Sequence, residues 1–301
     1  MEDLLADILK GKRIAKAAYE RIREEVMYLS ERGVFLKTAV VKATDDPAVA
    51  SYISMIEKKC KVSDILFETA DFGNQCGTDD IVQRIKELNN DDSVHGVIIM
   101  LPLWKHIDTS AVTSALSPVK DIDGVTVENA GKLMLGQEAF IPNTAQACID
   151  IMEGYGIACS GKNVVIVGRS NIVGKPLSLL LMRKGVDATV TVCHSRTENL
   201  ADVCRRADIL IAAAGVPRFI TEEYTSPGQI VIDVGINEVK GLDGEKTLTG
   251  DTDFEALSKK VAAITPVPGG VSPLTNAALL KNLVKAAKIQ LKMNKSVHQA
   301  V

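Results

Sequence analysis

Asn163-Val-Val-Ile-Val-Gly-Arg-Ser-Asn-Ile-Val-Gly-Lys-Pro176 decides the fold. Val164 to Val167 is an apolar, β-branched run that stops at a glycine, as a buried parallel strand does. Gly168, Ser170 and Gly174 make a tight turn. Pro176 suits a first helical turn, where the amide it lacks would have no partner. Leu177 to Met182 continues the helix, and Ala188 to Cys193 is the next strand. Strand, glycine turn, helix and strand form one βαβ unit. Backbone amides at such a helix start favour an anion, and a dinucleotide pyrophosphate is the usual guest. The spacing Gly-x-Ser-x-x-x-Gly departs from Gly-x-Gly-x-x-Gly, so the turn alone leaves a ligand-free strand-turn-helix open.

The second strand ends Cys193-His194-Ser195-Arg196, without the acid that holds an NAD ribose. Arg169, Ser195 and Arg196 suit a 2′-phosphate, because guanidinium pairs with phosphate through two hydrogen bonds. The reading leans to NADP. NAD, with Arg196 as a solvated loop charge, stays open.

The same alternation continues on both sides. Toward the N-terminus we expect helices over 14–32, 47–60 and 78–88 and strands over 35–41, 65–67 and 97–102. Toward the C-terminus we expect strands over 209–212 and 230–234, a helix over 274–291 and a frayed polar tail over 293–301. Residues 118–136 read as a long loop, a length usually tied to function. Strands alternating with helices mean an α/β fold. The 301 residues, 46% hydrophobic, suffice for two domains. A net charge of −3 suggests neither nucleic acid nor an anionic membrane. No apolar run is long enough to span a bilayer. The acidic start and six scattered cysteines suggest a cytoplasmic protein with reduced thiols and no metal.

Five stretches in order resemble the methylenetetrahydrofolate dehydrogenase/cyclohydrolase family, the FolD type. They are Lys120-Asp-Ile-Asp-Gly124, Gly168-Arg-Ser-Asn-Ile-Val-Gly174, Val231-Ile-Asp-Val-Gly-Ile-Asn237, Gly250-Asp-Thr-Asp-Phe254 and Thr265-Pro-Val-Pro-Gly-Gly-Val271. The resemblance implies two α/β domains with a cleft between them. A folate domain would take 1–144 plus 276–301, and a Rossmann-like NAD(P) domain 145–275. It also implies a homodimer. For the folate it implies Tyr52, Leu101, Asp123, Pro268, Gly269 and Gly270, with Tyr52 and Asp123 catalytic. For the nucleotide it implies Thr144, Gly168, Arg169, Ser170, Val173, His194, Ser195, Arg196, Ala213, Gly215, Ile236 and Thr275. Without the resemblance, Tyr52 reads as a half-buried core residue and Asp123 as a turn cap.

The family's bifunctional members pass hydride from 5,10-methylenetetrahydrofolate to the nicotinamide, then hydrolyse the methenyl product. Their Tyr-x-x-x-Lys reads here as Tyr52 to Ile56, and their Gln-Leu-Pro as Met100-Leu101-Pro102. Their Pro-Cys-Thr-Pro-x-Gly becomes Pro142-Asn-Thr-Ala-Gln-Ala147, a change without a physical account here. Hydride departure asks for alignment. Hydrolysis asks for a base, and losing one typically costs ~10²–10⁴-fold. The expectation is therefore a dehydrogenase with cyclohydrolase activity lost or very weak. The alternatives are a bifunctional enzyme with a relocated base such as Lys59, and a non-catalytic folate or nucleotide sensor.

Overall fold

A computed structural model describes residues 5–240 and 246–299. In chain order the elements begin with β1 (Asp7–Ile8), α1 (Lys12–Ser30), β2 (Lys37–Lys42), α2 (Pro47–Val62), β3 (Leu66–Asp71), α3 (Thr78–Asn90) and β4 (Gly96–Ile99). Next come α4 (Thr109–Ala115), α5 (Val127–Met134), α6 (Asn143–Gly154), β5 (Asn163–Val167), α7 (Gly174–Met182), β6 (Thr189–Cys193) and α8 (Leu200–Arg205). The last are β7 (Ile209–Ala212), β8 (Ile230–Asp233), β9 (Asn237–Lys240), β10 (Lys246–Thr249), α9 (Phe254–Leu257), β11 (Ala263–Ile264) and α10 (Ser272–Gln299).

The chain divides into two compact units. One gathers Met1–Lys16 with Pro142–Thr275, the other Ala17–Ile141 with Asn276–Val301. The expected α/β class with two domains is what the structure shows, but the boundaries differ. The first residues belong with 142–275, because β1 hydrogen-bonds in parallel to β11 with Asp7 opposite Ala263. A two-residue strand carries no periodicity, so sequence reading left it with the folate domain.

The smaller sheet runs β3-β2-β4, all parallel. Its strands alternate their side chains between two cores, as period two dictates. Val40, Ile98 and Met100 pack with Ile22 and Val26 of α1, Ile53 and Ile56 of α2, and Leu279 and Leu283 of α10. Ala39, Val41, Val97 and Ile99 pack the other way, with Ile81 and Ile85 of α3 and Val112 of α4. Helix α2 starts where Asp46 accepts the Ala48 amide at 2.8 Å, with Pro47 in the first turn. Strand β3 extends past the expected 65–67. Lys37 pairs with Glu68 at 2.6 Å and Lys42 with Asp71 at 2.8 Å across the ladder, which suits a polar edge.

Two expectations fail. The presumed loop 118–136 contains α5, capped by Thr126 and carrying the Glu128–Lys132 ion pair one turn apart. The tail expected to fray from Met293 continues α10 to Gln299, and only 300 and 301 lie outside the described residues.

The larger sheet has the order β1-β11-β8-β7-β5-β6, every pair parallel. Val165, Val167, Leu210, Ala212 and Val231 share one core with Cys204 of α8 and Leu257 of α9. Val164, Ile166, Ile209 and Ile211, pointing the other way, are also buried. Covered on both faces, these strands read as unbroken apolar runs, which is why the sequence exposes them so plainly.

Candidate active site

In the larger-sheet unit, β5 is flanked by β6 and β7, so three strand ends converge. The Gly168 amide donates to Cys193 O at 2.9 Å, and the Ala213 amide to Val167 O at 2.9 Å. Gly168 holds φ +142°, and a Cβ there would lie 2.0 Å from Ala213 O. A Cβ on Gly174 would lie 2.0 Å from Gly168 O. Ser170 tightens the turn: its Oγ accepts the Val173 amide at 3.1 Å, and its carbonyl accepts the Lys175 amide at 3.1 Å. The Ser170 hydroxyl hydrogen remains to donate. Arg169, Ser195 and Arg196 are exposed, just past the paired ends of β5 and β6. His194 shapes their turn, its Nδ1 accepting the Arg196 amide at 3.2 Å and its own amide bonding Thr197 Oγ1 at 2.9 Å. Thr144 and Thr275 are half-buried in the first turns of α6 and α10, and Ile236 is exposed beyond β8.

Sequence reading missed what holds these loops. Asp233, at the end of β8, accepts the amides of Gly235 and Asp251 on Oδ1, each at 3.0 Å. Its Oδ2 accepts the Thr252 amide at 2.9 Å and the Thr252 hydroxyl at 2.6 Å. Asp251 in turn accepts the Gly215 amide at 2.8 Å and the Asn237 side-chain amide at 2.8 Å. Two buried carboxylates thus tie the loops after β7 and β8 to the segment 250–252. The glycines follow from this: a Cβ on Gly235 would lie 2.1 Å from Asp251 Oδ1, and one on Gly250 2.0 Å from Asp233 Oδ2. Burial pushes the Asp233 carboxyl above the usual range, opposed by its bonds to Thr252 and Asp251. The signal was present in Val231–Asn237 and Gly250–Phe254, but nothing in either stretch says that they meet.

Pro268, Gly269 and Gly270 lie in this same unit. The Gly270 amide donates to Pro266 O at 2.8 Å and the Gly11 amide to Gly269 O at 2.9 Å, with Gly269 at φ +106°. A Cβ on Gly11 would lie 2.0 Å from Gly270 O, so the segment packs tightly on the start of α1.

In the smaller-sheet unit, Lys120-Asp-Ile-Asp-Gly124 divides its labour residue by residue. Lys120 is buried and its Nζ caps the end of α3, donating to Leu88 O at 2.9 Å and Asp91 O at 2.7 Å. Desolvation pushes its pKa down. Asp121 is also buried and accepts the amides of Val125 and Thr126, the Thr126 hydroxyl and the Asn129 side chain. Ile122 is in the core. Asn282 of α10 donates to Ile122 O at 3.0 Å. Asp123 alone is presented half-buried, beside Tyr52. Burial first, then the Asp123 charge and Tyr19, push the Tyr52 phenol well above its ordinary value. The structure therefore brings Tyr52 and Asp123 together. Leu101 is 40% exposed where β4 ends. Ile56, one turn from Tyr52, is 1% exposed, and Met100 is 4% exposed, both in the apolar core. Lys58 points to solvent, whereas the Lys59 Nζ rests 4.8 Å over the Tyr19 ring. Trp104 packs partly buried on the opposite core, its Nε1 donating to Phe72 O at 3.2 Å.

Residues 9–123 match the family model described as the tetrahydrofolate dehydrogenase/cyclohydrolase catalytic domain, and residues 142–291 the one described as its NAD(P)-binding domain. The chain belongs to this family. It is 43% identical over 290 residues to the bifunctional FolD protein of Acetivibrio thermocellus, covering 96% of this chain and 99% of that one. The crystal structure of bifunctional FolD from Campylobacter jejuni aligns at a TM-score of 0.89 and 38% identity, covering 94% and 99% of the two chains. FolD from Trypanosoma brucei, solved with NADP and an inhibitor, aligns at 0.90 and 32%, covering 95% and 99%. This FolD-family chain is thus an enzyme of tetrahydrofolate chemistry with a Rossmann-like NAD(P)-binding domain.

The nucleotide turn fits that cofactor. Side chains at Gly168 and Gly174 would collide with the backbone of Ala213 and of Gly168, so the tight turn that presents the start of α7 requires both glycines. Among the described residues, no helix is long and apolar enough to cross a membrane.

Proposed function

We propose that this FolD-family enzyme oxidises 5,10-methylenetetrahydrofolate with NADP and does not hydrolyse the methenyl product at a useful rate. The observation that carries the reading is Ile56, 1% exposed in an apolar core one turn from Tyr52. Bound NADP supplies the hydride acceptor. Asp123 accepts hydrogen bonds from the amino and ring N–H edge of the pterin, and Tyr52 positions the ring. The lone pairs of the two nitrogens flanking the one-carbon unit stabilise the cation left by the hydride, so the protein need only hold the donor carbon in line. Neither step asks for an amine or amide at 56 or 100.

Hydrolysis does ask for one. Water must be deprotonated and a proton returned to the leaving nitrogen, and a positioned acid–base group typically contributes ~10²–10⁴-fold. Ile56 and Met100 supply no proton and line the position with hydrocarbon. Lys59 is a poor substitute: its ammonium is engaged on the Tyr19 ring face. A sensor without catalysis is disfavoured because Asp123 and the nucleotide turn are intact. Arg169, Ser170, Ser195 and Arg196 support NADP over NAD, since a cationic cluster without an acid suits a 2′-phosphate.

The test follows cofactor reduction and methenyltetrahydrofolate separately by absorbance, with NADP and with NAD. We expect methenyl product to accumulate one for one with reduced NADP, and added methenyltetrahydrofolate to decay at its spontaneous rate. Enzyme-dependent decay would overturn the loss of hydrolysis, and Lys59→Ala would then show whether that lysine is the base.

A further inference from the structure

Strand order fixes how a dinucleotide lies across the larger-sheet unit. Its strands include the run β8-β7-β5-β6. Ser195 and Arg196, suited to the 2′-phosphate, follow β6, and the glycine turn suited to the pyrophosphate follows β5. The nicotinamide half then reaches the other way, over the ends of β7 and β8, the farther about 10 Å from β5 at the usual strand spacing. Gly215 and Ile236 stand beyond those ends, and Ile236, 58% exposed, offers an apolar surface to a flat ring. Behind them lies Asp251, 0% exposed. Its Oδ2 accepts the Gly215 amide and its Oδ1 the Asn237 side-chain amide, each at 2.8 Å. Both oxygens are met by N–H groups, the pattern of an ionised carboxylate. Among the described residues no lysine or arginine forms an ion pair with it. A buried charge is poorly screened by water and salt, so its field extends to the strand ends.

We infer that Asp251 is the counter-charge of the oxidised nicotinamide ring, so that the enzyme binds NADP⁺ more tightly than NADPH. This rests on the larger-sheet unit holding the cofactor. The oxidised ring is a cation and the reduced ring is neutral, whereas the phosphates and ribose are the same in both forms. Only a charge near the ring can tell them apart. Fully buried, Asp251 does not touch the ring and acts through the field of its charge. Hydride transfer discharges the ring, so the carboxylate that favours loading of the oxidised cofactor also favours release of the reduced one.

The experiment measures the Kd of NADP⁺ and of NADPH by calorimetry, without folate, for wild type, Asp251→Asn and Asn237→Ala. Asn237 can turn its side-chain amide and offer oxygen to the new NH2, so Asp251→Asn keeps both hydrogen bonds and loses the charge. Wild type should favour NADP⁺ about 3- to 10-fold, the effect of one unit charge at about 10 Å in a medium between protein and water. Asp251→Asn should weaken NADP⁺ by that factor and leave NADPH within about twofold. Equal weakening of both forms would make Asp251 a loop support only and overturn the proposal, as would an unchanged ratio. Asn237→Ala keeps the carboxylate but loosens the Ile236 loop, so it should weaken both forms alike and keep the ratio. Loss of the ratio there would assign the preference to the loop and overturn the proposal. The wild-type and Asn237→Ala ratios decide the matter even if Asp251→Asn fails to fold. Failure of wild type to bind either form would remove the cofactor assignment itself. Binding of both without preference would remove the role of Asp251 alone.

Discussion

Asp233→Asn exchanges one oxygen of a buried carboxylate for an NH2 group in a place surrounded by donors. The remaining oxygen can keep the amides of Gly235 and Asp251. The new NH2 then faces the amide and hydroxyl of Thr252. The hydroxyl can turn and accept, but the amide cannot. One buried N–H left unpaired costs ~1–3 kcal/mol, and two bonds weakened from a charged to a neutral acceptor cost ~1 kcal/mol each. The total, about 3–5 kcal/mol, is a large share of a typical domain stability of ~5–15 kcal/mol. For a unit of this size it lowers the Tm by about 10 °C. Calorimetry reads that shift in the nucleotide-binding unit, and kinetics should read a raised KM for NADP, since the freed loops carry Gly215 and Ile236. Burial raises the folded pKa of Asp233, so the native protein binds the extra proton as pH falls through that value. The wild type gains stability there that the Asn variant does not, so the deficit of the Asn variant should widen. A Tm change under about 2 °C at neutral pH would refute the reasoning, because it would mean that Asp233 already carries a hydrogen and resembles an amide.

Gly168→Ala sets a methyl 2.0 Å from Ala213 O at φ +142°. Displacing the turn by an ångström should cut kcat/KM for NADP about 100-fold, with circular dichroism showing a folded protein. Arg196→Ala should lower kcat/KM for NADP about 10- to 100-fold and leave NAD within about twofold, and equal losses for both would undo the 2′-phosphate assignment. His95 is buried, with Nδ1 accepting the Lys37 amide at 3.2 Å. Burial, then the nearby Lys120 ammonium, push its pKa below 6.5. The unfolded chain therefore takes up a proton that the fold refuses, and stability is lost as pH falls through 6.5. His95→Gln should flatten the fall in Tm from about pH 7 to 5.5.

What was legible in the sequence was local. Val164–Val167 and Gly168–Gly174 carry their own periodicity, turn chemistry and helix start, so strand, turn and helix could be read from one short stretch. Tyr52 and Ile56 are one helical turn apart and share a face by geometry alone. What escaped reading is held by partners distant along the chain. The Asp233 carboxylate meets Thr252 and Asp251 meets Gly215 only after the sheet has formed. Helix α5 was hidden because its stability comes from Asn129, buried and bonded to Asp121 and Phe140, rather than from an apolar stripe.

The route of the chain between its two units bears on how the protein is made. Strand β1 is synthesised long before its ladder partner β11, with every other strand of the sheet made in between. The core around β2 waits equally for Leu279 and Leu283. The larger sheet cannot be completed until β11 is made, nor the smaller core until α10 is made, so the nascent chain carries two unfinished sheets at once. Such long-range closure is slow, and open strand edges invite association with other chains. A fragment ending before α10 closes the larger sheet but leaves the core around β2 open, and that open half should make it a client for holding chaperones.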